Sequence, residues 1–202
     1  MLGFAGGIVV SRRASEGINH AQFLFEEDTV QVVFLKPIPA SMAGGNQFGP
    51  YEEGREAKVP LWVADVLAEN GVAKLKDEDA KIIRSGDLYK LSWKEERNEV
   101  LSQLPPHFYP KVRALLRSLD EGIKQNPTHT LLSEQRQSQM KAQDMINCRL
   151  QKILRLSMER NPTKSLIDLL SQEERALYTA LRSEIEGWRQ RILVDESKTR
   201  ER

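Results

Sequence analysis

From Lys94 onward the chain repeats apolar residues at helical spacing, and the pattern breaks at Pro105-Pro106, Asn126-Pro127 and Asn161-Pro162. Proline inside a helix removes a hydrogen bond and clashes with the preceding turn, so these positions cut the second half into separate helices. Each carries an apolar stripe that must be buried against a neighbour, which predicts a helical bundle. Residues 94 to 104 read as a first helix ending with Val100, Leu101 and Leu104. Val112, Leu115, Leu116, Leu119 and Ile123 form the clearest stripe. Residues 131 to 160 predict one long helix, with Ile146, Leu150, Ile153 and Leu154 on one face. A short helix over 163–170 follows. Ser171-Gln172-Glu173-Glu174 is a capping box, a serine N-cap answered by glutamate three residues on. It opens a helix striped by Leu177, Leu181, Ile185, Trp188 and Ile192.

The first half differs. Residues 1 to 93 hold ten of the twelve glycines and balance 10 Lys+Arg against 13 Asp+Glu, a net of −3. Residues 94 to 202 balance 20 against 16, a net of +4. Val30, Val32, Val33, Phe34 and Leu35 predict a strand too apolar to be exposed on both faces. Phe23-Leu24-Phe25 is expected to add another. Lys36-Pro37-Ile38-Pro39 ends the apolar run, and residues 40 to 50 read as a loop. Arg55 to Val59 extend as a strand, and Pro60 suits the first turn of a helix. Val63, Val66 and Leu67 recur at helical spacing, and Gly71 stands where a C-terminal cap belongs. Residues 72 to 75 alternate as a strand, and Leu88 to Trp93 read as a last strand or the entry to the helices. Val59, Pro60, Leu61, Trp62, Val63 and Leu67 are the expected core of this small domain, with Trp62 packing the helix onto the sheet. The fold class is α+β. A lead-in spans 1–28, a small β-rich domain 29–93, a helical domain 94–193 and a charged tail 194–202.

What chemistry could such a chain carry? No phosphate-binding glycine loop, nucleotide fingerprint or nucleophile elbow is present. His20, His107 and His129 are scattered, and the single cysteine, Cys148, excludes an intrachain disulfide and a cysteine-rich metal site. Asp77-Glu78-Asp79 would be the only starting point for a metal enzyme, and consecutive residues on a helix point apart. Neither a catalytic residue, a metal nor a cofactor is therefore expected. The net charge of +1 offers no global field for nucleic acid or an anionic membrane. The opening run MLGFAGGIVV precedes Arg12 and Arg13, the reverse of a secretory leader, and falls short of a membrane span. A strand or a loose lead-in is expected there.

Arg149, Lys152 and Arg155 give the long helix a basic flank, and Arg189 does so on the last helix. They are candidate phosphate contacts, and a stand-alone nucleic-acid-binding protein using them is the alternative reading. Ile146, Leu150, Ile153, Leu154, Leu177, Leu181, Ile185 and Trp188 are the candidate bundle and subunit-interface residues, more apolar stripe than one thin bundle needs. Leu181→Asp is expected to abolish assembly.

Gly49-Pro50-Tyr51, Gly54 and Val59-Pro60-Leu61-Trp62-Val63-Ala64 with Leu67 resemble the small domain of GINS complex subunits. Leu104-Pro105-Pro106-His107-Phe108-Tyr109 resembles the start of their helical domain. Residues 149–153 and 169–178 are similar to its later helices, so the resemblance covers about residues 29 to 193. Tyr51 stands where the family pattern has phenylalanine, and residues 1–28 have no counterpart. The small domain comes first, as in the class matching the second and third eukaryotic subunits, and the compact length resembles archaeal members. The resemblance implies a non-enzymatic subunit of a homo- or heterotetramer, held by the helical domains. Its implied partners are a related GINS subunit, the MCM replicative helicase, a RecJ-family protein and DNA in the assembled complex, with no membrane. The implied location is the cytoplasm at the nucleoid, or the nucleus in a eukaryote.

Overall fold

Strand β1, Thr29–Phe34, alternates as its sequence requires: Val30, Val32 and Phe34 point inward and Thr29 and Gln31 outward. It is the centre of a three-stranded antiparallel sheet, flanked by β4, Glu56–Pro60, and β5, Ala73–Leu75. The register pairs Val30 with Val59 and Val32 with both Ala57 and Leu75. This computed structural model describes residues 5–43, 46–76 and 82–193. Within residues 40 to 50, expected as loop, a short hairpin pairs β2, Ser41–Ala43, with β3, Asn46–Phe48.

Helix α2, Leu61–Glu69, starts at Pro60, whose fixed φ of −56° hands the chain from strand to helix. The amide of Leu61 donates to the Asp28 carbonyl at 2.9 Å, so an orphan helix donor is satisfied by the chain entering β1. The helix ends in a Schellman motif: Val72 N–H reaches the Leu67 carbonyl and Gly71 N–H the Ala68 carbonyl, both at 2.9 Å. Gly71 takes φ +62°, which a side chain would oppose. Val59, Leu61, Val63 and Ala64 are buried with Val30, Val32 and Phe34. Trp62, Leu67 and Tyr51 pack on that core from its rim. Val66, expected on the core stripe, is exposed instead, because Leu61 and Ala64 turn the buried arc of α2 away from it.

The segment before β1 is where expectation and structure differ most. Phe23, Leu24 and Phe25 belong to a 23-residue helix, α1, Ala5–Glu27, and not to a strand. Ala21 and Phe25 are buried one turn apart, with Gly17 one turn earlier, while Phe23 is exposed. Small residues made this helical stripe easy to miss. Leu88 to Trp93 likewise form no strand. They lie in α3, Ser85–Arg97, which buries Leu88, Ser92 and Glu95 and leaves Trp93 outside under the Arg97 guanidinium. Buried polar residues hid that period too. The expected boundary between residues 93 and 94 falls inside α3, and the helix expected to run to Leu104 stops at Arg97.

The remaining helices follow the proline punctuation: α4, Phe108–Gln125; α5, His129–Met158; α6, Lys164–Ile167; and α7, Gln172–Leu193. Val112, Leu115 and Leu119 bury against Leu88, Ala142 and Met145 in one core. Leu101, Ile153, Leu156, Leu170 and Tyr178 form a second core further along α5. Thr128 caps α5 by accepting from the Leu131 amide, and the capping box at Ser171 is present in both directions. Asp77-Glu78-Asp79 and the charged tail lie outside the described residues.

Phe34→Ala should cost the small domain about 3–5 kcal/mol, since Phe34 is fully buried and stacked on Tyr51. Trp62→Ala, at the rim, should cost less, about 2 kcal/mol. Hydrogen exchange of β1 amides in both variants checks the order, and a larger loss from Trp62→Ala would contradict it.

Candidate interaction surface and the ion-pair network behind it

Arg149 is a candidate phosphate contact by sequence. It is instead the largest fully buried side chain among the described residues. Helical spacing explains why: Ala142, Met145, Arg149, Ile153 and Leu156 make the inward stripe of α5, and the arginine falls on it. A guanidinium has five N–H donors, and a buried one must place all of them. Nε donates to Glu174 Oε1 at 2.5 Å and Nη2 to Glu174 Oε2 at 2.7 Å, a two-pronged pair. Nη2 also reaches the Leu169 carbonyl at 3.3 Å. Nη1 donates to Glu95 Oε2 at 2.9 Å and to the Ser102 carbonyl at 2.8 Å. Every donor is used.

The two carboxylates are equally well occupied. Glu95 Oε2 also accepts from the backbone amide and hydroxyl of Ser102, and Oε1 accepts from Lys152 Nζ at 2.6 Å. Glu174 Oε1 accepts from the Tyr109 hydroxyl at 2.5 Å, and Oε2 from the Ser171 amide at 2.9 Å. Glu174 is thus the capping-box glutamate and the main partner of Arg149 at once. Two cations face two anions, so the group is neutral, and it ties α3, the loop before α4, α4, α5 and the start of α7 together.

Burial by itself would raise the Glu95 pKa, but the Lys152 and Ser102 hydrogen bonds and the Arg149 charge outweigh it and hold the carboxyl below its ordinary range. Burial would likewise favour losing the Arg149 proton, and Glu174 reverses that, keeping the guanidinium charged. Burial and the neighbouring Glu174 push the Tyr109 phenol up, so it stays a donor.

Lys152, another expected phosphate contact, spends its ammonium on Glu95 and on the Glu95 and Val100 carbonyls. Arg189 donates to the Met158 carbonyl and pairs with Glu186. With Arg182 on the Glu159 and Arg160 carbonyls, it covers the C-terminal end of α5, where cations are favoured. Of the four expected phosphate contacts, Arg155 is the one whose side chain is left exposed on α5. Among the described residues no three His, Cys, Asp or Glu side chains converge as a metal site, and no helix is long and apolar enough to cross a membrane.

The candidate interface residues divide. Ile153 is buried, and Leu177, Leu181 and Ile185 are half-buried, Leu181 packing on the second bundle core. Ile146, Leu150 and Leu154, one turn apart, are 40%, 36% and 38% exposed, and Met158 continues the line at 51%. On α7, Trp188 and Ile192 are 60% and 65% exposed. The outer line of α5 is therefore more apolar than the inner one, which carries Arg149. Rotating α5 by about 100° would bring the outer line inward and carry Arg149 off the inner face. The fold buries the ion pair and leaves the aliphatic line outside.

Arg149→Met should destabilise the bundle by about 3–5 kcal/mol, because it leaves two buried carboxylates facing each other. A neutral effect in urea denaturation would contradict the network. Because the folded Glu95 carboxyl lies below its unfolded value, its contribution is complete above about pH 4.3 and lost as pH falls through the depressed folded value. The acid limb of stability should accordingly be shallower in Glu95→Gln than in the parent.

A family model for the GINS complex protein helical bundle domain (Sld5) matches residues 82–193, and a search of curated proteins finds no match. The matched segment begins just before α3, not at Lys94, and holds every member of the Arg149 network. It spans more than half of the 202 residues. The chain belongs to the GINS family and is a subunit of the GINS replication complex.

Proposed function

We propose that this subunit is a non-catalytic scaffold that assembles through the outer faces of α5 and α7 into a tetramer with related GINS subunits. The observation that carries this reading is the inverted stripe of α5. Each aliphatic side chain of the outer line would contribute on the order of 1 kcal/mol on further burial. A helix serving a monomer alone would gain by turning that line inward. A partner covering Ile146, Leu150, Leu154 and Met158, with Trp188 and Ile192 beside them, supplies the missing burial.

The assembled tetramer binds the MCM replicative helicase together with a RecJ-family protein, and favours one helicase conformation by binding it more tightly than the other. The order of the two domains supports the class in which the small domain comes first, in a tetramer with two copies each of two subunits. ATP chemistry belongs to the helicase, and the site of action is the nucleoid. Direct DNA contact by this chain would fall to exposed cations such as Arg155, since Arg149 and Lys152 are committed inside the fold.

Native mass spectrometry of the tagged protein drawn from its own host at moderate salt tests this reading. A tetramer with a related subunit, and MCM alongside, is expected. A bare monomer, or one carrying nucleic acid alone, would contradict it. Leu150→Glu should disperse the tetramer while keeping the monomer's helical content and lowering its melting only modestly, because Leu150 sits at the rim of the bundle, 36% exposed. Leu181→Asp would also abolish assembly, but by disrupting the second bundle core, so Leu150 is the cleaner probe.

A further inference from the structure

We propose that α1 is an intramolecular clamp that fixes the small domain against the helical bundle, a role outside the family reading, since α1 lies outside the matched residues 82–193. Two independent attachments carry it. α1 packs on α7, and at Gly17 the contact is backbone-close. A Cβ built on Gly17 would lie 2.3 Å from Ala176 Cβ and 3.8 Å from its Cα, so only glycine permits this approach. Ala180, one turn further along α7, is buried. Side-chain packing at such a crossing depends on complementary shape and tolerates no added volume.

The other end of α1 is built into the small domain. Phe25 is a member of the core formed by Val30, Val32, Phe34, Val59 and Leu61. Next to it, polar contacts reach across to α4. Gln22 Oε1 accepts from Arg113 Nη2 at 2.7 Å, and Asp28 Oδ2 pairs with His107 Nε2 at 2.7 Å. The His107 ring also lies 5.4 Å from the Phe25 ring. His107 holds φ +54°, a left-handed conformation uncommon for a residue with a side chain, at the position that precedes α4. The turn entering α4 thus presents its imidazole to α1. Between α2 and β5 on one side and α4 on the other lies an open cleft of about 660 Å³, with Phe25 in its wall. The small domain therefore meets the bundle across a gap that α1 spans.

Gly17→Glu tests the clamp, with Ile18→Glu, an exposed position on the same helix, as control. Gly17→Glu should speed amide exchange in residues 14–27 and 174–182 at least about tenfold and enlarge the radius of gyration by small-angle scattering. Ile18→Glu should do neither. Unchanged exchange and size in Gly17→Glu would overturn the proposal. Should that variant fail to fold, exchange in the parent decides. Protection of residues 14–27 comparable to that of α7 supports the clamp, and exchange near the unprotected rate overturns it.

Discussion

Everything in the bundle is arranged around one arginine. Arg149 is inaccessible to solvent, and its charge can be kept there only if five acceptors come to it. They come from four separate parts of the chain: Glu95 from α3, the Ser102 carbonyl from the following loop, the Leu169 carbonyl from the turn before α7, and Glu174 from α7 itself. Removing either glutamate leaves a buried charge unmatched, and losing either carbonyl leaves a buried donor unpaired. A hydrophobic seam of similar volume could be more stable, yet it would accept many registers of helix against helix. In the rotation of α5 that the structure shows, every donor of the guanidinium meets its acceptor.

That rotation has a functional consequence. With Arg149 turned inward, Ile146, Leu150, Leu154 and Met158 are turned outward. The arginines of α7 reinforce the arrangement from the far end, since Arg182 and Arg189 occupy carbonyls at the end of α5 and hold the two helices together where Trp188 emerges. The apolar surface is thus a product of the buried polar group behind it.

Much of this was legible in the sequence, for identifiable reasons. Asn126-Pro127 and Asn161-Pro162 marked the ends of α4 and α5, because proline removes a hydrogen bond from a helix interior, whereas the helix before Pro105 had already ended at Arg97. The capping box at Ser171 and the Pro60 start of α2 carried their own geometry. The β1 alternation gave its inward face directly. What failed was every place where burial was not apolar. In α3, Ser92 and Glu95 occupy inward positions, which hides the helical period and leaves Leu88 to Trp93 open between a last strand and the entry to the helices, the second of which the structure shows. In α1 the inward positions include Gly17 and Ala21, too small to register as a stripe. Arg149 was read as a surface cation although it stands four residues from Met145 and from Ile153 on the inward stripe. A charged residue in register with flanking core positions was the signal, and two glutamates elsewhere in the chain were needed to make sense of it.

The most direct measurement is oxidative footprinting of side chains in the free chain and in the assembly purified from its host. Met158 and Trp188 carry the account, and Trp93, exposed on α3 beneath Arg97, serves as the internal reference. An account in which the buried Arg149 group turns α5 toward a partner predicts that Met158 and Trp188 react freely in the isolated chain and are shielded in the assembly, while Trp93 changes little. Equal labelling of Met158 and Trp188 in both states would contradict it.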